Sequence, residues 1–123
     1  MNWIPLAGCA ALLLTGCGKP APAVQCPIPA DVAPASIGAA YVQGLTARLA
    51  GPDRENSIAL AIAEMHTRDP SIDADTITDI LIAADCPNTL ARPDHDINAV
   101  RDQTNAFRTE VEQVLGKPAT QRN

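Results

Sequence analysis

Four cysteines are the residues of this chain whose chemistry is most informative. Cys9 and Cys17 lie in or directly after an uncharged N-terminal stretch, whereas Cys26 and Cys86 lie in the remainder of the chain. Cys26 and Cys86 show no C-x-x-C spacing, and no flanking Lys, Arg or His is present to favour a thiolate. A role of this pair as a redox or metal-binding pair is therefore disfavoured. The sequence around Cys17 is therefore the best indication of the role of the cysteines.

The N-terminal stretch, residues 3–16, reads WIPLAGCAALLLTG and carries no charge. As a helix it would span only about 21 Å, less than the ~30 Å hydrocarbon core of a bilayer. A short apolar segment of this kind, closed by small residues, is typical of an export signal. Ala-Pro-Ala at 21–23 offers an ordinary cleavage site, although its prolines make a poor extended substrate. The alternative, a buried helix of a soluble protein, is disfavoured by Pro5 and Gly8.

Leu14-Thr15-Gly16-Cys17 resembles the lipobox of bacterial lipoprotein precursors, in which Leu, a small or hydroxyl residue and Gly or Ala precede a cysteine. The resemblance implies that the Cys17 sulfur receives a diacylglyceryl group, that the signal is cut immediately before Cys17, and that the new amino terminus is acylated with a fatty acid such as palmitate. Two or more acyl chains give a durable anchor, since each buried CH₂ contributes about 0.8 kcal/mol. Gly18 stands where the family's inner-membrane retention residue is Asp, which favours the outer membrane. We therefore expect a cell-envelope protein that faces the periplasm.

Loss of the signal and acylation of Cys17 would leave Cys26 and Cys86 as an even pair in an exported chain. Such a pair predicts a disulfide. Closing a loop of roughly 60 residues would contribute about 4 kcal/mol, a large share of the stability of a small domain. Residues 18–25 would then be the free part of the tether, about 25 Å long as polyproline II, so we expect the domain to lie close to the lipid.

The remaining chain divides by composition. Residues 17–34 are rich in proline and lack a hydrophobic period, which predicts a semi-rigid tether. Helical spacing follows it. We therefore expect a signal peptide at 1–16, a lipidated tether at 17–34, a helical domain at 35–116 and a frayed tail at 117–123.

Composition limits both fold and function. A chain of 123 residues with 46% hydrophobic content supports one small core, and only three aromatic residues are present to fill it. A core of Ile, Leu, Val and Ala suits packed helices better than a β-sandwich. The net charge of −5 and the scattered Lys and Arg exclude a nucleic-acid partner, which needs clustered positive charge.

Four helical segments are predicted from hydrophobic spacing and terminal residues. Asp53 and Asp73 are expected to cap the second and third segments, with Ile72 and Ile77 forming a hydrophobic staple. The longest segment is expected to begin near Asp94. The segments are expected to end at Gly51-Pro52, before Asp69-Pro70, at Cys86-Pro87 and at Gly116. The chain is thus predicted to be all-α, a small bundle of three to four short helices with one disulfide.

Phe107 lies midway along an apolar stripe that runs from Ile97 to Val114 in alternating steps of three and four. We expect this stripe to pack on the other helices and to bury Phe107. The alternative is a coiled-coil dimer along the same stripe.

Two histidines are weak candidates for catalysis or metal binding. His66 follows a core-facing methionine, which places it at the surface. Asp94, His95 and Asp96 form a cluster, but neighbours on one helical turn point in different directions, and acidic residues are favourable at a helix N-terminus. We expect no catalytic residue, no cofactor and no metal site.

The third predicted helix is acidic. Asp75 and Asp79 lie four residues apart, Asp85 lies in the last turn, and no basic residue occurs between Ile72 and Asn88. Such a face is usually only solvated, but it could meet a basic partner.

The sequence predicts a membrane-anchored envelope lipoprotein that is not an enzyme. Its expected role is that of a binding or accessory module that contacts an envelope protein through an apolar groove or through Asp75, Asp79 and Asp85. The alternatives are a structural or stress-related envelope protein without a discrete ligand and, third, a small enzyme. The oligomeric state is left open.

Overall fold

The computed structural model describes residues 25–93 and 96–116 of the chain. These residues form helices joined by short loops, and no strand occurs among them. The helices are α1 Pro29–Val32, α2 Ala39–Leu49, α3 Arg54–Arg68, α4 Ala74–Leu90 and α5 Ile97–Gly116. The predicted all-α class and small bundle are confirmed, and α1 is a further short helix that the sequence pattern did not indicate.

α4 lies at the centre of the bundle, where it contacts each of the other four described helices. Its contacts with α2 and α5 are the most extensive, and α3 packs on α5 and α2. The buried apolar side chains of the main helices are Val42, Leu45 and Leu49 in α2, Ile58, Ala61, Ile62 and Met65 in α3, Ile77, Ile80, Leu81, Ala83 and Ala84 in α4, and Val100, Phe107, Val111 and Val114 in α5.

The apolar stripe of α5 packs into this core as expected. Phe107 is only 3% exposed, and Val111 and Val114 are buried beside it. The stripe begins at Val100, because Ile97 is 58% exposed at the first turn of α5. The face that a coiled coil would use is therefore occupied within the monomer.

The acidic residues before the helices do not all act as caps. Asp73 accepts a hydrogen bond of 2.7 Å from the Thr76 backbone N–H, as predicted. The Asp96 side chain accepts two hydrogen bonds, of 2.9 and 2.8 Å, from backbone N–H groups at the start of α5. Asp53 stands at the N-cap position of α3 but makes no side-chain cap bond, and it accepts instead from the Asn56 amide at 2.7 Å. Its predicted position at the start of the helix is confirmed, but its side chain does not form the expected cap bond.

The predicted end of the third helix at Cys86-Pro87 is also wrong, since α4 continues to Leu90 with Pro87 inside it. Proline removes one backbone hydrogen-bond donor from the helix. The last helical turn can still form when other contacts stabilise it. Here the Asn88 amide donates to the Thr46 carbonyl at 2.8 Å, which ties that turn to α2.

Regular structure begins before Ala35, contrary to the predicted tether boundary. Pro29 opens α1, where its fixed φ and missing N–H suit the first turn of a helix. Val32 and Ala33 are partly buried against the core. The part of the predicted tether from Cys26 onward therefore belongs to the folded domain.

Candidate functional site

The disulfide lies where the N-terminal part of the chain joins the bundle. Cys26, just before α1, is bonded to Cys86 near the C-terminal end of α4, and their Cα atoms are 5.5 Å apart. The predicted pairing is confirmed. Cys17, the predicted lipidation residue, lies outside the described residues.

An apolar groove of about 440 Å³ opens beside this disulfide, between residues 26–29, α2 and α4. Val42, Ala83 and Ala84 contribute buried surface to it, and none of the described residues that line it is charged. Ile28 also lines the groove and is 61% exposed. This groove can accept apolar groups, and it offers no acid or base for catalysis.

The walls of the groove are fixed by hydrogen bonds between α2 and α4. The Thr46 hydroxyl donates to the Ala84 carbonyl at 2.7 Å, and the Asn88 amide donates to the Thr46 carbonyl. Both bonds cross from one helix to the other and hold α2 against α4 beside the groove.

The three residues of the predicted acidic face do not lie together. Asp75 and Asp79 are exposed on α4. Asp85 is only 4% exposed, and its Oδ2 lies 2.9 Å from Nη2 of Arg54. Asp85 therefore stabilises the interior, and the predicted partner face is reduced to Asp75 and Asp79.

Arg54 is the centre of a polar cluster that the sequence pattern did not indicate. Its guanidinium carbon lies 4.3 Å from the centroid of the Phe107 ring, and its Nε lies 3.3 Å from Glu110 Oε2. Asp85 is a second carboxylate paired with the same guanidinium. Because Arg54 and Asp85 are 31 residues apart, no local spacing could have revealed the pair.

A small cavity of about 220 Å³ borders this cluster. Arg54 and Gln103 line it. Within the described residues, Gln103 Oε1 is buried without a hydrogen-bond partner, and Arg54 Nε is buried and lies near Glu110 Oε2 without forming a hydrogen bond to it. A guanidinium and an amide cannot exchange protons near neutral pH. The ion pairs of Arg54 with Asp85 and Glu110 join α3 to α4 and α5 and so support the core.

A second polar cluster joins α2 to α3 at the surface. The Tyr41 hydroxyl donates to Glu64 Oε2 at 2.6 Å, and Arg48 Nη1 donates to the same oxygen at 2.8 Å. Arg68 lies over the Tyr41 ring, 4.2 Å from its centroid. Burial, together with the hydrogen bond to Glu64, raises the pKa of Tyr41 to about 12. Tyr41 thus stays protonated and cannot serve as a base.

The predicted histidine candidates fall only partly within the described residues. His66 is exposed on α3, as expected. Asp94 and His95 lie outside the described residues, while Asp96 caps α5. No group of three or more potential metal-ligating residues occurs in the described part of the chain.

None of the described helices is long and apolar enough to cross a membrane. Comparison of the chain with protein-family models, with curated proteins and with solved structures finds no match.

Proposed function

We propose that this protein is a binding or accessory module of the bacterial cell envelope, without catalytic activity. In this proposal a lipid at Cys17 attaches the protein to a membrane that faces the periplasm. The outer membrane is preferred to the inner membrane. The observation that carries the proposal is the Cys26–Cys86 disulfide. Disulfides of this kind persist in oxidising compartments, which supports export of the chain. The lipobox-like Leu14-Thr15-Gly16-Cys17 supplies the means of attachment.

The disulfide also supports a position close to the membrane. The disulfide fixes the chain to α4 at Cys26, so only residues 18–25 separate the proposed anchor from the bundle. Their maximum length as polyproline II would be about 25 Å. A lipid anchor at Cys17 would therefore hold the groove beside the disulfide at the end of the domain nearest the membrane.

The groove favours an apolar segment of another envelope protein as the partner. Its described lining has no charged side chain, and Ile28 presents an exposed apolar group at its side. Association would bury this surface, which is favourable in proportion to the apolar area removed from water.

The anchor is tested by fractionation of envelope membranes. The unaltered protein should stay with the membrane through high-salt and alkaline extraction, because acyl chains rather than charges hold it. The matched control is Cys17→Ser, which keeps the signal and the domain but lacks the sulfur that accepts the lipid. This variant should lose the lipid modification. Its uncleaved or soluble form should differ in size from the lipidated protein. Extraction of the unaltered protein by salt alone would contradict the anchor.

The groove is tested by photo-crosslinking in the envelope. A crosslinking residue at Gln43, which lines the groove, should give a defined adduct, whereas one at the exposed Ala63 on α3 should not. Ile28→Asp should abolish the adduct, and Leu60→Asp, at a similarly exposed apolar residue on α3, should leave it intact. Equal adducts from Gln43 and Ala63, or no effect of Ile28→Asp, would contradict binding at the groove.

A further inference from the structure

Residues 26–35, which we name the strap, run from the disulfide across the surface of α2 and α4. The strap includes α1, and none of the four residues of α1 is fully buried. Val32 and Ala33 are partly buried against the core, while Ile28 is 61% exposed. Apolar burial alone therefore holds the strap weakly.

Among the residues that the structure describes, no hydrogen bond adds a second attachment of the strap to α2 or α4. Within the described residues, the bonds made by the strap join positions between Ile28 and Gly38, such as Asp31 N–H to the Ile28 carbonyl at 2.9 Å and Ala33 N–H to the Pro29 carbonyl at 3.0 Å. These bonds shape the strap without connecting it to α2 or α4.

Firm attachment to the bundle resumes directly after the strap. The Ser36 hydroxyl donates to Asp69 Oδ2 at 2.8 Å, Arg68 Nη1 donates to the Ile37 carbonyl at 3.3 Å, and Ile37 is only 3% exposed. The strap is thus fixed at one end by Ser36 and Ile37 and at the other end by the covalent bond of Cys26.

We infer that the Cys26–Cys86 disulfide is a redox-controlled latch, whose reduction releases the strap while α2 to α5 stay folded. The part of this inference that concerns reach rests on the proposed lipid anchor, whereas release of the strap itself does not. The reductant is of the dithiol class, a protein or small molecule that carries two neighbouring thiols.

The reaction is an ordinary thiol–disulfide exchange. A thiolate of the dithiol attacks Sγ of Cys26, which lines the open groove, and forms a mixed disulfide while Cys86 leaves as a thiolate and takes up a proton. The second thiol of the reductant then displaces Cys26 as a thiol. Two electrons pass to the cysteines, and the reductant leaves as a disulfide.

Release would change both the reach of the domain and the surface it presents. The free tether would lengthen from residues 18–25 to residues 18–35, so its maximum length as polyproline II would rise from about 25 Å to about 56 Å. Departure of residues 26–29 would also remove one wall of the groove and expose Val42, Ala83 and Ala84. Oxidised and reduced forms would therefore differ in the partners they can reach.

The test uses the full lipidated protein bound to vesicles and a protease that cleaves on the amino side of aspartate. Asp31 is the aspartate of the strap, and the exposed Asp79 in the middle of α4 reports on unfolding of the bundle. On addition of dithiothreitol, cleavage before Asp31 should become at least about tenfold faster, since proteolysis follows the population of the locally open form, while cleavage before Asp79 should not change. Cleavage before Asp31 in the reduced protein should release residues 31–123 from the vesicles.

The double variant Cys26→Ser, Cys86→Ser is the matched control and should show the fast rate with or without dithiothreitol. An unchanged rate at Asp31 on reduction would overturn the inference, because the strap would be held without the latch. Parallel acceleration at Asp31 and Asp79 would overturn it as well, because the disulfide would then hold the whole domain. Absence of the protein from the vesicles before protease is added would contradict the lipid anchor alone, since the cleavage rates could still be compared.

Discussion

Several polar side chains in this domain hold helices together through ion pairs and hydrogen bonds. Arg54 illustrates this use, because its guanidinium stacks on Phe107 and pairs with Asp85 and Glu110. A partly buried charge with this many partners is costly to leave unpaired. Tyr41 likewise joins two helices, because its hydroxyl on α2 donates to Glu64 on α3.

Truncation of Phe107 tests its central place in the core. Phe107→Ala should lower the free energy of unfolding by about 3 to 5 kcal/mol, because it leaves a cavity and also removes the surface on which Arg54 stacks. Arg108→Ala, at the exposed neighbouring position, should change it little. Thermal or denaturant unfolding of the two variants provides the measurement. Equal stability of both variants would show that Phe107 is not a core residue.

Titration of Tyr41 tests the cluster between α2 and α3. It is the one tyrosine of the chain, so the near-ultraviolet absorbance of phenolate reports on it alone. The folded protein should titrate with a pKa of about 12, and the urea-unfolded chain near the ordinary value of about 10. Since the folded-state pKa is raised, the stabilisation is complete below pH ~10 and is lost as the pH rises through the folded pKa.

Glu64→Gln is the control for this titration. It removes the carboxylate that accepts from Tyr41, so the pKa of Tyr41 should fall relative to the unaltered protein. A folded-state pKa near 10 in the unaltered protein would mean that the hydroxyl is not held by Glu64.

At the scale of helices, local signals predicted the cap bond of Asp73 and the apolar stripe of α5. They failed for the cap bond of Asp53, and they failed where contacts between residues distant in sequence determine the structure. The burial of Phe107 and the cap at Asp73 followed from spacing alone. The continuation of α4 past Pro87 did not, because the Asn88–Thr46 bond that holds its last turn joins residues far apart in the chain.

Asp73 and Asp53 provide a matched test of capping. Both precede a helix, but only Asp73 accepts a hydrogen bond from a helix N–H. Asp73→Ala should lower the melting temperature by a few degrees, while Asp53→Ala should lower it less. The hydrogen bond from the Thr76 N–H also lowers the pKa of Asp73. The difference between the variants should therefore shrink as the pH falls and Asp73 is protonated. A larger effect of Asp53→Ala would contradict the assignment.

At the scale of the whole molecule, the disulfide joins the proposed anchor to the helical core. Its pairing could be predicted from the sequence, because the lipobox resemblance assigned Cys17 and left Cys26 and Cys86 as an even pair. The groove beside it could not, since it arises only when residues 26–29 are laid against α2 and α4. The burial of Asp85 could not be predicted from the sequence for the same reason, because its partner Arg54 lies on another helix.

The central claim is that the domain is anchored at Cys17 and latched by the Cys26–Cys86 disulfide. The most direct test is to measure the intact mass of the protein after extraction from membranes without reductant. The account predicts a chain that lacks residues 1–16, carries acyl groups on Cys17, and gains the mass of two hydrogens on reduction. An unmodified chain that begins at Met1, or one that begins at Val24 without lipid, would contradict the anchor. A mass unchanged by reduction would contradict the latch.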